Sequence, residues 1–192
     1  MVFFEKSPRH LELCAAAELA KQADKELDPA SRPERIALVV DPDDAYLEAI
    51  INHACPDMLQ LHGHEKPARI GEIKQRFGLP VMPVISVSSA DDIAQATEVA
   101  ELADRILFDA QPSLDSDGLP GGTGSSFDWS YLAGFKNDTP WMLAGGLNAQ
   151  NVKEAIAISG ASAVDISSGV EKNRGEKSKS AISAFVHAAK LR

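Results

Sequence analysis

Two stretches of this chain run from an apolar segment into glycines and hydroxyls and then towards a helix start. Leu143-Ala-Gly-Gly-Leu-Asn148 is one, and Val164-Asp-Ile-Ser-Ser-Gly-Val170 is the other. Backbone N–H groups at a helix start, supported by the helix dipole, are suited to a phosphate dianion. One such loop reads equally well as a structural turn. Two in succession, in the loops after the last two apolar runs, point to a phosphate site. A third glycine-rich stretch, Gly118-Leu-Pro-Gly-Gly-Thr-Gly124, lies in a long connection and allows close backbone approach to a ligand. By itself it reads as well as a loop tip.

Three side chains beside apolar runs have matching chemistry. Asp109 follows Arg105-Ile-Leu-Phe108 and fits both a turn aspartate and a general acid. His62, next to Gln60 in Leu59-Gln-Leu61, fits both a structural histidine and a site residue. Arg9, after Ser7-Pro8, is either a surface cation or the fixed partner of a carboxylate.

The elements that must position these groups alternate along the chain. Apolar β-type runs are read at Val2–Phe4, Ile36–Val40, Asp57–Leu61, Pro80–Val87, Arg105–Phe108, Trp141–Ala144 and Ala163–Ile166. Helical stretches are read at Leu11–Leu27, 43–53 (entered through Asp41-Pro42-Asp43, with the proline in the first turn), 66–77 before Gly78, and Ser89 to about 102. The series continues with a turn or two at Phe127–Phe135, then Asn148–Ser159 before Gly160, then Ser178–Leu191. Strands alternating with helices imply βαβ units and a parallel sheet covered on both faces. Seven such units allow a doubly wound sheet. The polar and glycine-rich residues, however, collect after the strands, as in a barrel whose site lies at one face.

Composition sets the limits. The 192 residues carry a net charge of −9, with 44% hydrophobic and 24% charged residues, as in a single globular domain. A sequence pI near 5.0 argues against nucleic-acid binding. No apolar run reaches membrane-spanning length, which predicts a cytoplasmic protein with no membrane partner. Cys14 and Cys55 are too few for a disulfide framework and read as small packing residues.

Six segments, in order, resemble the signatures of the phosphoribosylanthranilate isomerase family. They are Phe3-Phe-Glu-Lys-Ser-Pro-Arg-His10, Leu59-Gln-Leu-His-Gly63, Leu107-Phe-Asp-Ala110, Pro120-Gly-Gly-Thr-Gly-Ser-Ser-Phe-Asp-Trp129, Leu143–Asn148 with Asn151-Val152, and Val164-Asp-Ile-Ser-Ser-Gly-Val-Glu171. The resemblance covers essentially the whole chain. It implies an α/β fold, the (β/α)₈ TIM barrel, and a step of tryptophan biosynthesis: Amadori rearrangement of N-(5-phosphoribosyl)anthranilate to 1-(2-carboxyphenylamino)-1-deoxyribulose 5-phosphate. No cofactor or metal is implied, because the substrate's own iminium is the electron sink. The only ligand implied is the small phosphosugar, taken up by a monomer or homodimer.

Carried over by resemblance, Asp109 is the general acid. Arg9 holds the anthranilate carboxylate. Backbone groups around Gly145, Gly146, Ser168 and Gly169 bind the phosphate, Gly122, Thr123 and Gly124 close over it, and Ser167 is a further substrate-binding residue. Gln60, His62 and Asp165 line the mouth. The family's base is a cysteine in a Lys-Ile-Cys-Gly type segment ending the first strand, and no such segment is present. The expectation is therefore seven βα units, with about one unit of roughly 25–30 residues absent before Met1. Little or no isomerase activity would follow, the alternative being a non-catalytic phosphosugar-binding remnant. A synthase of the same pathway, acting on indole-3-glycerol phosphate, would need a catalytic lysine at a strand end, and none is visible.

Overall fold

A computed structural model describes residues 1–111 and 126–190, and by its internal contacts the chain divides into two units, Met1–Pro83 and Val84–Arg192. The first unit holds helix α1 (Leu13–Glu26), strand β1 (Ile36–Val39), α2 (Asp44–Ala54), β2 (Met58–Leu61) and α3 (Pro67–Phe77). Strand β3 (Val81–Val87) crosses the division, pairing with β2 through Val81–Pro83. The second unit continues with α4 (Ala90–Ala100), β4 (Ile106–Ala110), a 3-10 turn at Trp129–Leu132, β5 (Trp141–Leu143) and α5 (Val152–Ser159). A second 3-10 turn at Ser168–Val170, strands β6 (Glu171–Asn173) and β7 (Glu176–Lys177), and α6 (Lys179–Lys190) complete it.

Local chemistry accounts for most boundaries. The Asp43 carboxylate accepts the Tyr46 N–H at 2.7 Å and starts α2. Pro42 therefore lies just outside that helix rather than in its first turn, as its sequence position had suggested. Pro67 opens α3, where its missing N–H is no loss, and Gly78 closes it at φ 66°. Helix α4 is held at its start by Asp92, whose Oδ2 accepts the Ser88 and Ser89 backbone N–H groups, both at 2.8 Å.

The ladders are parallel throughout β1 to β5. In the first unit Ile36–Val39 pair with Met58–Leu61, and all four residues of β2 are buried. In the second unit Val84–Val87 pair with Leu107–Ala110, and Ile106–Phe108 with Trp141–Leu143. Burial on both faces is what helix-flanked parallel strands require. Phe108 anchors β4 from one face, its ring edge-to-face with Phe135 at 5.2 Å and Trp141 at 5.6 Å. Alternation along the strand then turns Asp109 to the opposite face.

Two expected strands shrink to isolated bridges. Val2 bridges Leu38, and the flanking Phe3 N–H donates to Leu38 O at 2.8 Å. The Ser7 N–H then bonds Phe4 O and curls the backbone out of register. Val164 likewise bridges Leu143 alone among the described residues, because β5 ends there and the next glycines turn the chain away. Among the described residues, five of the seven expected strands therefore form ladders. The antiparallel β6–β7 hairpin was not expected, and α5 begins at Val152 rather than Asn148. Both cysteines are exposed, not packed inside: Cys14 lies on α1, and Cys55 caps α2 in the left-handed region at φ 45°. No helix among the described residues is long and apolar enough to cross a membrane.

Candidate active site

In a parallel ladder every strand delivers its carboxyl end to the same edge, so the residues following the strands define one rim in each unit. In the first unit this rim carries Gln60 and His62, both buried at 8% exposure, with Gln60 Nε2 3.3 Å from His62 Nδ1. The His62 N–H donates to Val39 O, which fixes the residue at the end of the β1–β2 ladder. Arg9 sits half-buried in the turn before α1, its backbone N–H donating to Ser7 Oγ at 3.2 Å.

The same rim has a brace that the sequence alone did not single out. Glu65 accepts the Asp41 N–H at 2.8 Å and the Gly63 N–H at 2.9 Å, joining the loops after β1 and β2. Burial pushes its carboxyl above the ordinary range. Asp41 accepts the His64 N–H at 2.6 Å; these bonds outweigh its own burial and hold its carboxyl below the ordinary range. Gly63 is required here, since a Cβ on it would stand 2.5 Å from Asp41 N.

In the second unit Asp109 is buried at the end of β4, and its Oδ1 accepts the Ala110 N–H at 2.9 Å. The neighbouring loop crosses close to it. Gly145 and Gly146 have φ of 87° and 62°, and a Cβ on Gly145 would lie 2.6 Å from Ala110 N. The turn is held by Asn151, whose Oδ1 accepts the Asn148 N–H at 2.8 Å and whose Nδ2 donates to Gly146 O at 3.0 Å. The next loop packs on this one: a Cβ on Gly169 would meet Leu147 O at 2.1 Å. Asp165 donates its N–H to Leu143 O at 2.8 Å and is half-buried, as are Ser167 and Ser168.

Asp109, Gly145, Gly146, Asp165, Ser167, Ser168 and Gly169 thus belong to consecutive strand ends of one unit. Arg9, Gln60 and His62 belong to the other. Gly122, Thr123 and Gly124 lie outside the described residues. One residue beside the Ser167–Gly169 loop was not singled out from sequence: Lys177, whose Nζ donates to Ser167 O at 2.8 Å. Its only sequence signal is Gly175, the turn glycine that folds β7 back onto β6.

Comparison with known proteins places this arrangement. Residues 3–188 match the family model described as N-(5'-phosphoribosyl)anthranilate (PRA) isomerase. The N-(5'-phosphoribosyl)anthranilate isomerase of Parvibaculum lavamentivorans is 50% identical over 190 residues, covering 98% of this chain and 86% of that protein. The crystal structure of the Thermotoga maritima phosphoribosyl anthranilate isomerase superposes with a TM-score of 0.82 at 29% identity, covering 99% of this chain and 86% of that one. A crystal structure of a phosphoribosyl anthranilate isomerase in complex with reduced 1-(o-carboxyphenylamino)-1-deoxyribulose 5-phosphate matches with a TM-score of 0.77 at 29% identity, covering 99% and 85%. With the ordered motifs, the parallel strands and these matches in agreement, the chain belongs to the N-(5'-phosphoribosyl)anthranilate isomerase family, TIM-barrel enzymes of tryptophan biosynthesis.

Proposed function

We propose that Asp109 is the general acid of the Amadori rearrangement and that the Gly145-Gly146 and Ser167–Gly169 backbones hold the substrate phosphate. The observation that carries this reading is the contact of the glycine loop with the end of β4: Gly145 lies against Ala110, the residue next to Asp109. A phosphosugar gripped by its phosphate at these loops presents its ring to a fixed carboxyl group. Protonation of the ribose ring oxygen by Asp109 opens the ring to an iminium, and loss of the C2 proton gives an enolamine that tautomerises to the ketone.

Arg9 is assigned to the anthranilate carboxylate, and Gln60, His62 and Asp165 to orienting polar groups. Gly122, Thr123 and Gly124 are assigned to cover the phosphate. Buried polar neighbours such as Gln60 and His62 keep a ring in one orientation at low entropy loss. The molecule bound is the small phosphosugar, taken up by a monomer or homodimer.

The base is assigned to neither cysteine. Cys14 is on α1 and Cys55 precedes β2, so neither occupies a strand's carboxyl end, and the two are the only cysteines among the 192 residues. We therefore read these residues as supplying the acid, carboxylate and phosphate functions, with slow turnover on their own.

The test is an isomerase assay on this chain and on one carrying an added strand with a Lys-Ile-Cys-Gly segment. The extended chain turns over faster, and Asp109→Asn in it lowers kcat by about 10²–10⁴. Full turnover in Asp109→Asn would remove Asp109 from the chemistry. Unassisted fast turnover of this chain would show that another residue is the base.

A further inference from the structure

We infer that Lys177 is a positioning residue for phosphate binding: it fixes the direction of the Ser168 N–H by holding the Ser167 carbonyl. The inference rests on the phosphate-loop reading above and extends it to a side chain that does not touch the ligand.

Lys177 ends up beside the loop because the β6–β7 hairpin folds back through Gly175 at φ 85°, pairing Glu171 with Lys177 across the strands. Its ammonium makes three contacts: Ser167 O at 2.8 Å, Ser167 Oγ at 3.3 Å and Glu171 Oε1 at 2.8 Å. An ammonium has three protons, so these contacts account for all of them. Lys177 is thus occupied in tying loop to hairpin rather than available as a direct phosphate ligand. Glu171 is the fixed end of the tie. Its side chain is only 5% exposed, and Oε2 accepts the Gly175 N–H at 3.1 Å.

The consequence follows from the planarity of the peptide bond. In a trans peptide the C=O of one residue and the N–H of the next point in opposite directions. With the Ser167 carbonyl drawn to Lys177, the Ser168 N–H is directed away from the hairpin. A cation on the carbonyl also polarises the peptide and makes that N–H a stronger donor. Gly169, with Leu147 O where a Cβ would be, pins the loop on its other side. The loop is therefore held from both sides, by backbone contact at Gly169 and by charge at Lys177.

The experiment is calorimetric titration of inorganic phosphate into the full chain and four variants. Lys177→Met weakens phosphate binding about tenfold, as expected for loss of one charge-assisted hydrogen bond. Lys177→Arg, which can still donate to a carbonyl, restores it to within about threefold. Lys172→Met removes the same charge from the same hairpin, where Lys172 pairs with Glu176 at 2.5 Å, and stays within about twofold of the parent. Because Lys177→Met takes the ammonium away from the largely covered Glu171 carboxylate, the double variant Glu171→Gln/Lys177→Met is measured alongside and shows the same weakening.

Phosphate affinity unchanged in Lys177→Met and in the double variant would overturn the inference while leaving the phosphate loop intact. Equal weakening by Lys172→Met would overturn it too, since net charge would then suffice. A parent chain that binds no phosphate would remove both the loop reading and the part given to Lys177.

Discussion

Asp109 and Gly145 show how much of a site can rest on what a residue lacks. Asp109 faces away from the aromatic cluster because Phe108, beside it, takes the opposite face of β4 to meet Phe135 and Trp141. Gly145 is useful because it has no side chain, at φ 87° and with Ala110 N where a Cβ would stand. Gly145→Ala meets both obstacles at once. It should destabilise the fold by about 2–4 kcal/mol, combining a left-handed conformation with overpacking, and should weaken phosphate binding in the fraction that folds. Urea denaturation and phosphate titration of the variant check the two parts separately. A variant as stable as the parent would show that the loop moves aside, and that the close approach is not required.

Helix α4 is an element secured by one carboxylate. Besides the two backbone N–H groups, Asp92 Oδ2 accepts both hydroxyls, Ser88 Oγ at 2.8 Å and Ser89 Oγ at 3.2 Å. Asp92→Ala should therefore cost about 1 kcal/mol, read as a lowered urea midpoint at an unchanged slope. A changed slope would instead mean a changed denatured state. This cap is also where the sequence was most readable, because Ser-Ser-Ala-Asp-Asp writes its chemistry into adjacent residues. The strand ends that carry the candidate site were readable for a similar reason: glycines and hydroxyls directly follow apolar runs. What could not be read depended on distant partners. Val2 and Val164 are apolar and β-type, yet they form only isolated bridges among the described residues, since the turns at Ser7 and Gly145 end the pairing. The hairpin Glu171–Lys177 has no apolar alternation at all, so Lys177 beside Ser167 left no periodic trace. Cys14 and Cys55 were assigned inward from residue type, but the helix face and the cap they occupy turn them out.

Across the whole molecule the carboxylates decide the response to acid. The Arg32 guanidinium, hydrogen-bonded to both oxygens of Asp57 at 2.7 Å, holds that carboxyl down at about 2. Asp44 is held low by its bond to Arg69, and Asp92 by the Ser88 N–H. A carboxyl depressed in the folded state stabilises the fold above its unfolded value of ~3.9 and loses that contribution as pH falls through the folded value. Stability should thus fall between about pH 4 and pH 2. Glu65, raised by burial, works in the opposite sense, weakening the fold as pH climbs past its unfolded value. Asp57→Asn tests the largest member: its melting temperature should lie below the parent's by a few degrees at pH 7, about what a loss near 1 kcal/mol gives, and meet it near pH 2. A gap that persists at pH 2 would assign the difference to packing rather than charge.

The two exposed thiols have a further use, for Cys14 and Cys55 both lie in Met1–Pro83, whereas Trp129 and Trp141, the chain's two tryptophans, lie in Val84–Arg192. A dye coupled through either sulfur reports on the first unit, and indole emission reports on the second. Without a single substitution, this chain carries a separate optical reporter for each half of its own unfolding.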